Sequence, residues 1–257
     1  MLISPNALDQ ILNDPNLVLI DARSFKEYSE AHIPGAVNLD LFAFHWFDTT
    51  KKGIESFNAQ TKELFSFVGV TNEKKVVFYD NVSGILAARG VWMLLYFSHP
   101  QVFMLDGGIN KWKNKNLPTE TKSNAFKPAK FSGKVNYKII VGFEYIKANL
   151  DQLTIVDART KEEYDGTIVR SANAGHIPGS INIDWNENIA NDGTLKNEKE
   201  LSELYQFSKD DEIVTYCHGA YRAANTFLAL KKIGFKNVRV YLGSWGEWGN
   251  KLDLPTE

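Results

Sequence analysis

The sequence predicts an α/β protein with two tandem domains, each built on a mostly parallel β-sheet flanked by helices. Short apolar runs rich in β-branched residues alternate with longer segments of helical periodicity along the 257-residue chain. The same series of motifs also occurs twice, once in each half of the chain. With 44% hydrophobic and 23% charged residues, the chain has the composition of a globular protein with ordinary buried cores.

The duplication is clearest in two long segments. Residues 17–40 read LVLIDARSFKEYSEAHIPGAVNLD, and residues 153–184 read LTIVDARTKEEYDGTIVRSANAGHIPGSINID. Both contain an apolar run, Asp-Ala-Arg, a Glu-Tyr pair and His-Ile-Pro-Gly, and the second carries eight extra residues before its histidine. A match of this length indicates a duplicated domain. We predict domains at residues 1–122 and 137–257, joined by a polar linker over residues 123–136.

Each predicted domain contains three strands that are apolar on successive residues, as strands covered on both faces are. They are residues 18–20, 76–79 and 102–105 in the first half, and residues 155–156, 213–216 and 238–242 in the second. A helix follows the middle strand of each group. The apolar stripes of these helices are Leu86, Val91, Leu94 and Leu95, and Ala223, Ala224, Phe227, Leu228 and Leu230. Gly234 is placed to end the second helix.

The composition argues against several classes of function. With 29 basic and 31 acidic residues and no basic stripe, the chain is not predicted to bind nucleic acid. The first residues, MLISPNALDQ, are not predicted to form a signal peptide, and the longest apolar run, residues 91–97, is too short to cross a membrane. One cysteine cannot form an internal disulfide, so we predict a reducing compartment, the cytoplasm. The sequence makes no prediction about oligomeric state.

That one cysteine, Cys217, lies between a predicted strand and a predicted helix that starts near Tyr221 or Arg222. Ligands of parallel sheets bind at the carboxyl ends of strands. The N–H groups of the short loop and of the first helical turn can converge there and stabilise a thiolate, which is the nucleophilic form of cysteine. Gly219 allows a positive φ in the loop, and Arg222 offers a planar pair of donors to an anion.

A free cysteine is more often a buried and inert packing residue. However, the residue that corresponds to Cys217 in the first half is Asp80, and a carboxylate at a strand end is not a packing choice. We therefore predict that Cys217 is accessible to solvent. Two reactive classes fit. Cysteine phosphatases place five residues between the cysteine and the arginine, whereas four separate Cys217 from Arg222, so the tighter spacing favours transfer of a single sulfur atom. A non-enzymatic sulfur carrier is a third alternative.

Taken together, these motifs resemble the rhodanese family of sulfurtransferases in its two-domain form. The resemblance is carried by Asp-Ala-Arg and His-Ile-Pro-Gly in both halves, the loop 217–222, and the closing Gly-Ser-Trp-Gly-Glu-Trp at 243–248. It implies an inactive first domain and a catalytic second one, in line with Asp80 opposite Cys217. It also implies a double displacement, in which the Cys217 thiolate takes a sulfane sulfur from thiosulfate as a persulfide and passes it to cyanide or a thiol.

The resemblance also implies the residues around the donor. Arg159 and Arg222 would bind its anionic group, although Arg159 has an alternative role in a salt bridge with Asp157. Arg170, in the eight-residue insertion, is a weaker candidate, because mercaptopyruvate enzymes can supply a carboxylate-binding arginine from this region. Trp245 would wall the pocket. The remaining predicted substrate-binding residues are His218, Gly219, Ala220 and Tyr221. With one cysteine and scattered histidines, the chain is predicted to have no metal site, and no cofactor is implied.

The loop sequence bears on the identity of the donor. Mercaptopyruvate enzymes of the family typically read Cys-Gly-Ser-Gly-Val-Thr, and thiosulfate enzymes often read Cys-Arg-x-Gly-x-Arg. Here the loop reads Cys-His-Gly-Ala-Tyr-Arg, with an arginine at its end and the glycine one place early. The resemblance therefore favours thiosulfate, with 3-mercaptopyruvate as the alternative.

Overall fold

The structure is a computed structural model that describes residues 1–257. The chain forms two compact units. Unit 1 comprises Met1–Phe44, Phe57–Asn136 and Ile189–Leu195, and unit 2 comprises His45–Ser56, Tyr137–Asn188 and Lys196–Glu257. Each unit therefore contains one short segment from the other half of the sequence. This exchange is not part of the predicted domain boundaries, which stay a prediction.

Unit 1 is an α/β unit with a five-stranded sheet. Its helices and strands in chain order are β1 Leu2–Ile3, α1 Pro5–Asp9, β2 Leu17–Asp21, α2 Phe25–Glu30, β3 Val37–Asn38, α3 Lys51–Phe67 (its first residues counted with unit 2), β4 Lys75–Tyr79, α4 Ile85–Tyr96, β5 Val102–Leu105 and α5 Gly108–Asn114. The strand order is β1-β5-β4-β2-β3, and every pairing is parallel. The carboxyl ends of all five strands therefore lie at one edge of the sheet.

Unit 2 repeats this architecture. Its elements are β6 Ile140–Val141, α6 Phe143–Ala148, β7 Thr154–Asp157, α7 Lys161–Tyr164, β8 Ile181–Asn182, α8 Glu198–Leu204, β9 Ile213–Tyr216, α9 Tyr221–Lys232, β10 Val238–Tyr241 and α10 Ser244–Trp248. The strand order β6-β10-β9-β7-β8 is the order of unit 1 over again, and all pairings are parallel. The predicted fold class, two α/β domains with parallel sheets flanked by helices, is confirmed.

The six predicted strands are the longer strands of the two sheets, and the two predicted helix stripes lie on α4 and α9. Gly234 has a φ of +86° just after α9, as its predicted role at a helix end requires. The sequence did not predict β1, β3, β6 and β8, because a two-residue strand has no periodicity to detect. None of the helices has the length and apolarity that a membrane span requires.

Each sheet is covered on both faces, because successive residues of its central strands are buried in both β4 and β9. In unit 1 a buried cluster includes Leu19 of β2, Val77 of β4 and Trp112 of α5. In unit 2 the corresponding cluster includes Ile155 and Trp248. Burial on both faces explains why the long strands are apolar on successive residues. The same packing holds in place the carboxyl ends of the central strands, and hence the starts of the loops that follow them.

Candidate active site

Cys217 follows β9 directly, and α9 begins at Tyr221. The loop backbone is held by the start of α10. The N–H of Cys217 donates to Ser244 Oγ at 3.2 Å, and the N–H of Trp245 donates to the Cys217 carbonyl at 2.9 Å. The next carbonyl, that of His218, accepts from Gly246 N–H at 2.8 Å. The cysteine therefore lies at the carboxyl end of a central strand, in a loop whose backbone is held by α10.

The prediction that Cys217 is accessible to solvent is wrong, because only 1% of its surface is exposed. Asp80 does not indicate an exposed position, for a physical reason. Asp80 is itself buried, and backbone N–H groups satisfy its carboxylate. A polar residue at this position therefore does not require exposure. The surroundings of Cys217 are nevertheless charged, since Arg222 is near enough to its sulfur for the cysteine to raise the pKa of the guanidinium.

Arg222 lies in the first turn of α9 and links the cysteine to a carboxylate. Its Nη1 and Nη2 donate to the two oxygens of Glu163 at 2.5 and 3.1 Å. Burial lowers the pKa of Arg222, but the hydrogen bonds and charges of Glu163 and of Cys217 outweigh burial and raise it above its ordinary value. The guanidinium beside the sulfur is therefore a permanent positive charge.

Glu163 is a site residue that the sequence reasoning missed. It is buried on α7, where it forms a capping box with Thr160 and points its carboxylate at Arg222. Burial alone raises the pKa of Glu163, yet Arg222, the Thr160 N–H and Arg170 overcome that effect and hold the pKa at about 2. The Thr-x-x-Glu spacing is the signal that could have identified the capping box, although not its contact with Arg222.

Arg170, from the eight-residue insertion, lies at the edge of this cluster. Its Nε is 3.4 Å from Glu163 Oε1, and its side chain is 57% exposed. Glu163 therefore lies between two guanidinium groups, one buried beside the cysteine and one facing solvent. The insertion thus brings Arg170 to the carboxylate that holds Arg222.

Arg159 makes the salt bridge that was considered as its alternative role. Its Nε and Nη2 donate to Asp157 at 2.9 and 2.6 Å, and Nη2 also donates to the Gly175 carbonyl at 2.8 Å. The guanidinium lies over the ring of Trp245, 4.6 Å from its centroid. Arg159 is buried together with Trp245 next to the cysteine loop. Whether it binds a donor stays a prediction.

The equivalent arginine of unit 1, Arg23, pairs with Asp21 in the same way, with Nε–Oδ1 and Nη2–Oδ2 distances of 2.9 and 2.5 Å. It also donates to the Ala31 carbonyl, as Arg159 does to Gly175. Unit 1 has no cysteine at its loop, so this pairing does not depend on one. The common geometry shows that each Asp-Ala-Arg motif forms a buried ion pair at the end of a central strand.

Two further residues of the cysteine loop, His218 and Ala220, have unusual environments. The Nδ1 atom of His218 is buried without a hydrogen-bond partner. Burial, and then the nearby charge of Arg222, lower the pKa of His218 below that of a free imidazole, which favours its neutral form. The positive φ of the loop, +65°, falls on Ala220 and not on Gly219. A left-handed alanine is strained by about 1 kcal/mol, so tertiary contacts must hold this turn in place.

Aromatic groups flank the loop. Tyr221 is buried and packs against His45, with ring centroids 5.1 Å apart. Trp245 is buried at the start of α10. Ser244, another residue that the sequence reasoning missed, has a φ of +51° and donates its hydroxyl to the Tyr241 carbonyl at 2.9 Å while accepting from Cys217. The equivalent residue in unit 1 is Gly108, which also has a positive φ.

Both halves of the chain match the family model of the rhodanese-like domain, over residues 4–115 and 143–251. The chain belongs to the rhodanese family. The predicted two-domain form of the family is confirmed by this double match and by the two equivalent sheets.

Full-length relatives of this rhodanese include a thiosulfate sulfurtransferase from Pseudomonas aeruginosa, which is 32% identical over 100% of this chain and 97% of its own length. The sulfur carrier protein TtuD of Thermus thermophilus is 29% identical over 99% of this chain and 95% of its own. Among solved structures, the 3-mercaptopyruvate sulfotransferase SseA of Escherichia coli superposes with a TM-score of 0.75 at 28% identity, over 95% of this chain and 98% of that one. The prediction of a sulfurtransferase enzyme is confirmed.

Proposed function

We propose that this rhodanese moves a sulfane sulfur from thiosulfate to cyanide or a thiol through a persulfide on Cys217. One observation carries the proposal. The single thiol of the chain lies beside Arg222, whose guanidinium is held by the buried carboxylate of Glu163. A fixed positive charge at this place stabilises both a thiolate and the anionic persulfide that replaces it.

The reaction proceeds in two displacements. In the first, the Cys217 thiolate attacks the outer sulfur of thiosulfate, an S–S bond to the cysteine forms, and the S–S bond of the donor breaks, so that sulfite leaves with the electron pair. In the second, cyanide or a thiolate attacks the outer sulfur of the persulfide, and the Cys217 thiolate leaves. Arg222 stays beside the sulfur throughout and neutralises the charge that passes between donor, cysteine and acceptor.

Thiosulfate is favoured over 3-mercaptopyruvate because the cysteine loop ends in Arg222 rather than in a hydroxyl residue. The Pseudomonas aeruginosa relative, whose name includes thiosulfate, supports this choice. Arg222 and Arg170 would attract the sulfonate, and Arg159 would do so if its remaining N–H groups reach the donor. His218, Gly219, Ala220, Tyr221 and Trp245 would complete the pocket around it.

We place catalysis in the domain over residues 137–257, with an inactive domain over residues 1–122 and a linker between them. The partners are a small sulfur donor and a thiophilic acceptor, with no role for nucleic acid or a membrane. A single thiol without a disulfide partner suits the cytoplasm.

A second candidate is a sulfur carrier that holds the persulfide for a specific protein acceptor. It is favoured by the Thermus thermophilus relative, which is named a sulfur carrier protein. Such a carrier would form the same persulfide but would pass its sulfur poorly to small acceptors. No observation favours a phosphatase, because the loop from Cys217 to Arg222 is one residue shorter than that of cysteine phosphatases.

Mass spectrometry of the intact protein tests the proposal. After incubation with thiosulfate, the protein is expected to gain one sulfur atom on Cys217, and cyanide is expected to remove it as thiocyanate. The Cys217→Ser variant serves as the matched control, and 3-mercaptopyruvate is run in parallel. A loaded persulfide that cyanide and small thiols leave in place supports the carrier. No sulfur adduct with either donor, or Cys217-dependent hydrolysis of an aryl phosphate, overturns the proposal.

A further inference from the structure

The segment His45–Ser56 lies in the first half of the sequence but belongs to unit 2. It is anchored to α10 through a buried carboxylate. The N–H of Thr49 donates to Glu247 Oε1 at 2.8 Å, and its hydroxyl donates to Oε2 at 2.5 Å. The hydroxyl of Tyr241 donates to the same carboxylate at 2.9 Å. Three donors therefore satisfy Glu247, and the start of the segment cannot leave without breaking buried hydrogen bonds.

A second element fixes the same point. The hydroxyl oxygen of Thr49 accepts from the Phe143 N–H at 3.1 Å, at the start of α6. Gly142, which precedes Phe143, packs closely against Thr49, since a Cβ added at Gly142 would lie 3.0 Å from the Thr49 carbonyl oxygen. Thr49 is thus held by α6 and by α10 at once. This attachment sets the position of the two residues that precede it in the chain.

Phe47, which comes just before this anchor, packs against the cysteine loop. Its ring lies 5.8 Å from the His218 ring, edge to face. A Cβ added at Gly219 would lie 3.4 Å from the Phe47 ring, and one added at Gly246 would overlap it. The ring therefore occupies the space that side chains at these two glycines would need. Yet Phe47 remains 39% exposed, so one part of the ring faces the solvent beside the loop.

Unit 1 contains an equivalent segment without an aromatic residue. Ile189–Leu195 belongs to that unit and is anchored by an ion pair of 2.9 Å between Asp192 and Lys111. Lys111 occupies the position in α5 that Glu247 occupies in α10. The segment approaches the loop of unit 1 with Gly193, whose carbonyl accepts from Ser83 N–H at 2.8 Å. The anchor is therefore common to both units, but only the unit with the cysteine places a phenyl ring at the loop.

We propose that Phe47 is a specificity-determining residue of the sulfur-transfer site and that Thr49 and Glu247 are the positioning residues that hold it there. The inference rests on the proposed function. Thiosulfate carries nothing beyond its sulfonate group, whereas an organic thiosulfonate also carries a substituent that must fit beside the loop. The anchored ring occupies that space and excludes bulky donors, because close-packed side chains yield little volume.

The test compares thiosulfate with benzenethiosulfonate as donors, using cyanide as the acceptor. Cys217 takes the outer sulfur from either donor, and sulfite or benzenesulfinate leaves. Phe47→Ala is expected to raise kcat/KM for benzenethiosulfonate by about tenfold and to leave that for thiosulfate within about twofold. Phe47→Leu is expected to lie between. The control Phe25→Ala, which removes an exposed phenylalanine from α2, is expected to change neither value.

Two further variants examine the anchor. Thr49→Val removes the hydroxyl between Glu247 and Phe143, and it is expected to shift the donor ratio in the same direction as Phe47→Ala. Gly246→Ala adds a Cβ that meets the Phe47 ring and also lies 2.9 Å from the His218 carbonyl oxygen, so it is expected to shift the donor ratio and to disturb the cysteine loop as well. In a background that already carries Phe47→Ala, Thr49→Val is not expected to add a further shift. Coupling of this kind would not arise from general destabilisation.

The outcomes separate the inference from the function on which it rests. If the wild-type protein forms the Cys217 persulfide and all Phe47 variants keep the wild-type donor ratio, the inference fails and the function stands. A parallel loss of activity toward both donors in Phe47→Ala also overturns it, since that is the behaviour of a purely structural residue. If the wild-type protein forms no persulfide with either donor, the proposed function itself fails.

Discussion

The loops that follow β4 in unit 1 and β9 in unit 2 occupy equivalent places, but they begin with different residues, Asp80 and Cys217. In unit 1 the Asp80 carboxylate accepts hydrogen bonds from the N–H groups of Gly84, Leu86 and Ala87 at 3.1, 3.0 and 3.1 Å. The loop and the first turn of α4 therefore enclose an anion. A strand-to-helix turn of this fold binds negative charge through its backbone alone.

The backbone N–H groups of the unit 1 loop do not fully offset the effect of burial on the pKa of Asp80. Burial raises the pKa of Asp80 to about 6, although four backbone hydrogen bonds oppose the shift. The loop of unit 1 contains no arginine of its own, since Ile85 stands in the place of Arg222, and the capping-box carboxylate of Glu27 accepts from the Asn81 amide at 2.7 Å. In unit 2 the equivalent carboxylate, Glu163, holds Arg222 against the sulfur. The guanidinium is thus the main electrostatic difference between the two loops.

The largest expected difference between the loops is in sulfur transfer. Cys217→Ser is expected to lower thiocyanate formation by at least about 10³-fold, because a serine hydroxyl cannot form a persulfide. Asp80→Asn is expected to leave the rate within about twofold, since the loop of unit 1 has no nucleophile. Steady-state assays of both variants, with folding checked by circular dichroism, measure the contrast. Loss of transfer in a folded Asp80→Asn protein would mean that unit 1 takes part in the chemistry.

The two buried carboxylates are expected to give stability opposite dependences on pH. The folded-state pKa of Asp80 is raised from 3.8 to about 6, so its contribution is complete below pH 4 and is lost as the pH rises through 6. Asp80→Asn removes this pH-dependent decrease in the free energy of unfolding, which amounts to about 3 kcal/mol. The folded-state pKa of Glu163 is lowered from 4.5 to about 2, so its contribution is present above pH 4.5 and is lost toward pH 2.

Denaturant unfolding between pH 2 and 8 is expected to show that the free energy of unfolding of Asp80→Asn increases relative to that of the wild type as the pH rises from about 4 to 6. For Glu163→Gln the difference from the wild type is expected to shrink below pH 4.5. Identical slopes for the wild type and Asp80→Asn would contradict the buried-anion interpretation of the unit 1 loop.

Arg159 and Arg23 provide a matched pair for separating donor binding from folding. Each replacement by lysine gives up the two-point contact with its aspartate, so both Arg23→Lys and Arg159→Lys are expected to lower the free energy of unfolding by about 2 kcal/mol. If Arg159 also binds the donor, Arg159→Lys alone should raise the KM for thiosulfate. Equal stability losses with unchanged KM in both variants would leave Arg159 with the structural role alone.

The smallest expected effect concerns the two capping-box carboxylates. Glu163→Gln weakens the hold on Arg222 and is expected to lower kcat/KM for thiosulfate by about tenfold. Glu27→Gln changes the equivalent residue of unit 1 and is expected to leave kcat/KM for thiosulfate unchanged. Rescue by Glu163→Asp is not expected, because a shorter side chain cannot span the distance to the guanidinium. A wild-type kcat/KM in Glu163→Gln would mean that Glu163 does not contribute to sulfur transfer.

Much of the fold could be predicted because its signals are local. The long strands are buried on both faces and therefore read as unbroken apolar runs, and the helix stripes follow their own periodicity. The cysteine loop was predicted for the same reason, since a strand and a helix flank Cys217 on either side. The His-Ile-Pro-Gly turns are also local, and His32 and His176 each stack on the tyrosine of the preceding helix, at 3.8 and 3.7 Å.

The contacts that shape the site could not be predicted, because they join residues that are far apart in the sequence. Glu163 has a local signal as a capping box, but nothing in its neighbourhood points to Arg222. Phe47 lies in the half of the sequence without the cysteine, and only the assignment of His45–Ser56 to unit 2 places it at the loop. The burial of Cys217 was predicted wrongly because the sequence shows which residues are polar and not which groups will satisfy them.

The sequence by itself determined the duplicated α/β architecture and the position of the one thiol at the end of a central strand. Both depend on short-range patterns of apolar and turn-forming residues, which act on neighbours along the chain. Only the tertiary structure decided that this thiol is buried beside Arg222, that Glu163 holds that arginine, and that Phe47 packs against the loop. These are contacts through space, and their energies depend on distance and burial after folding rather than on the order of residues.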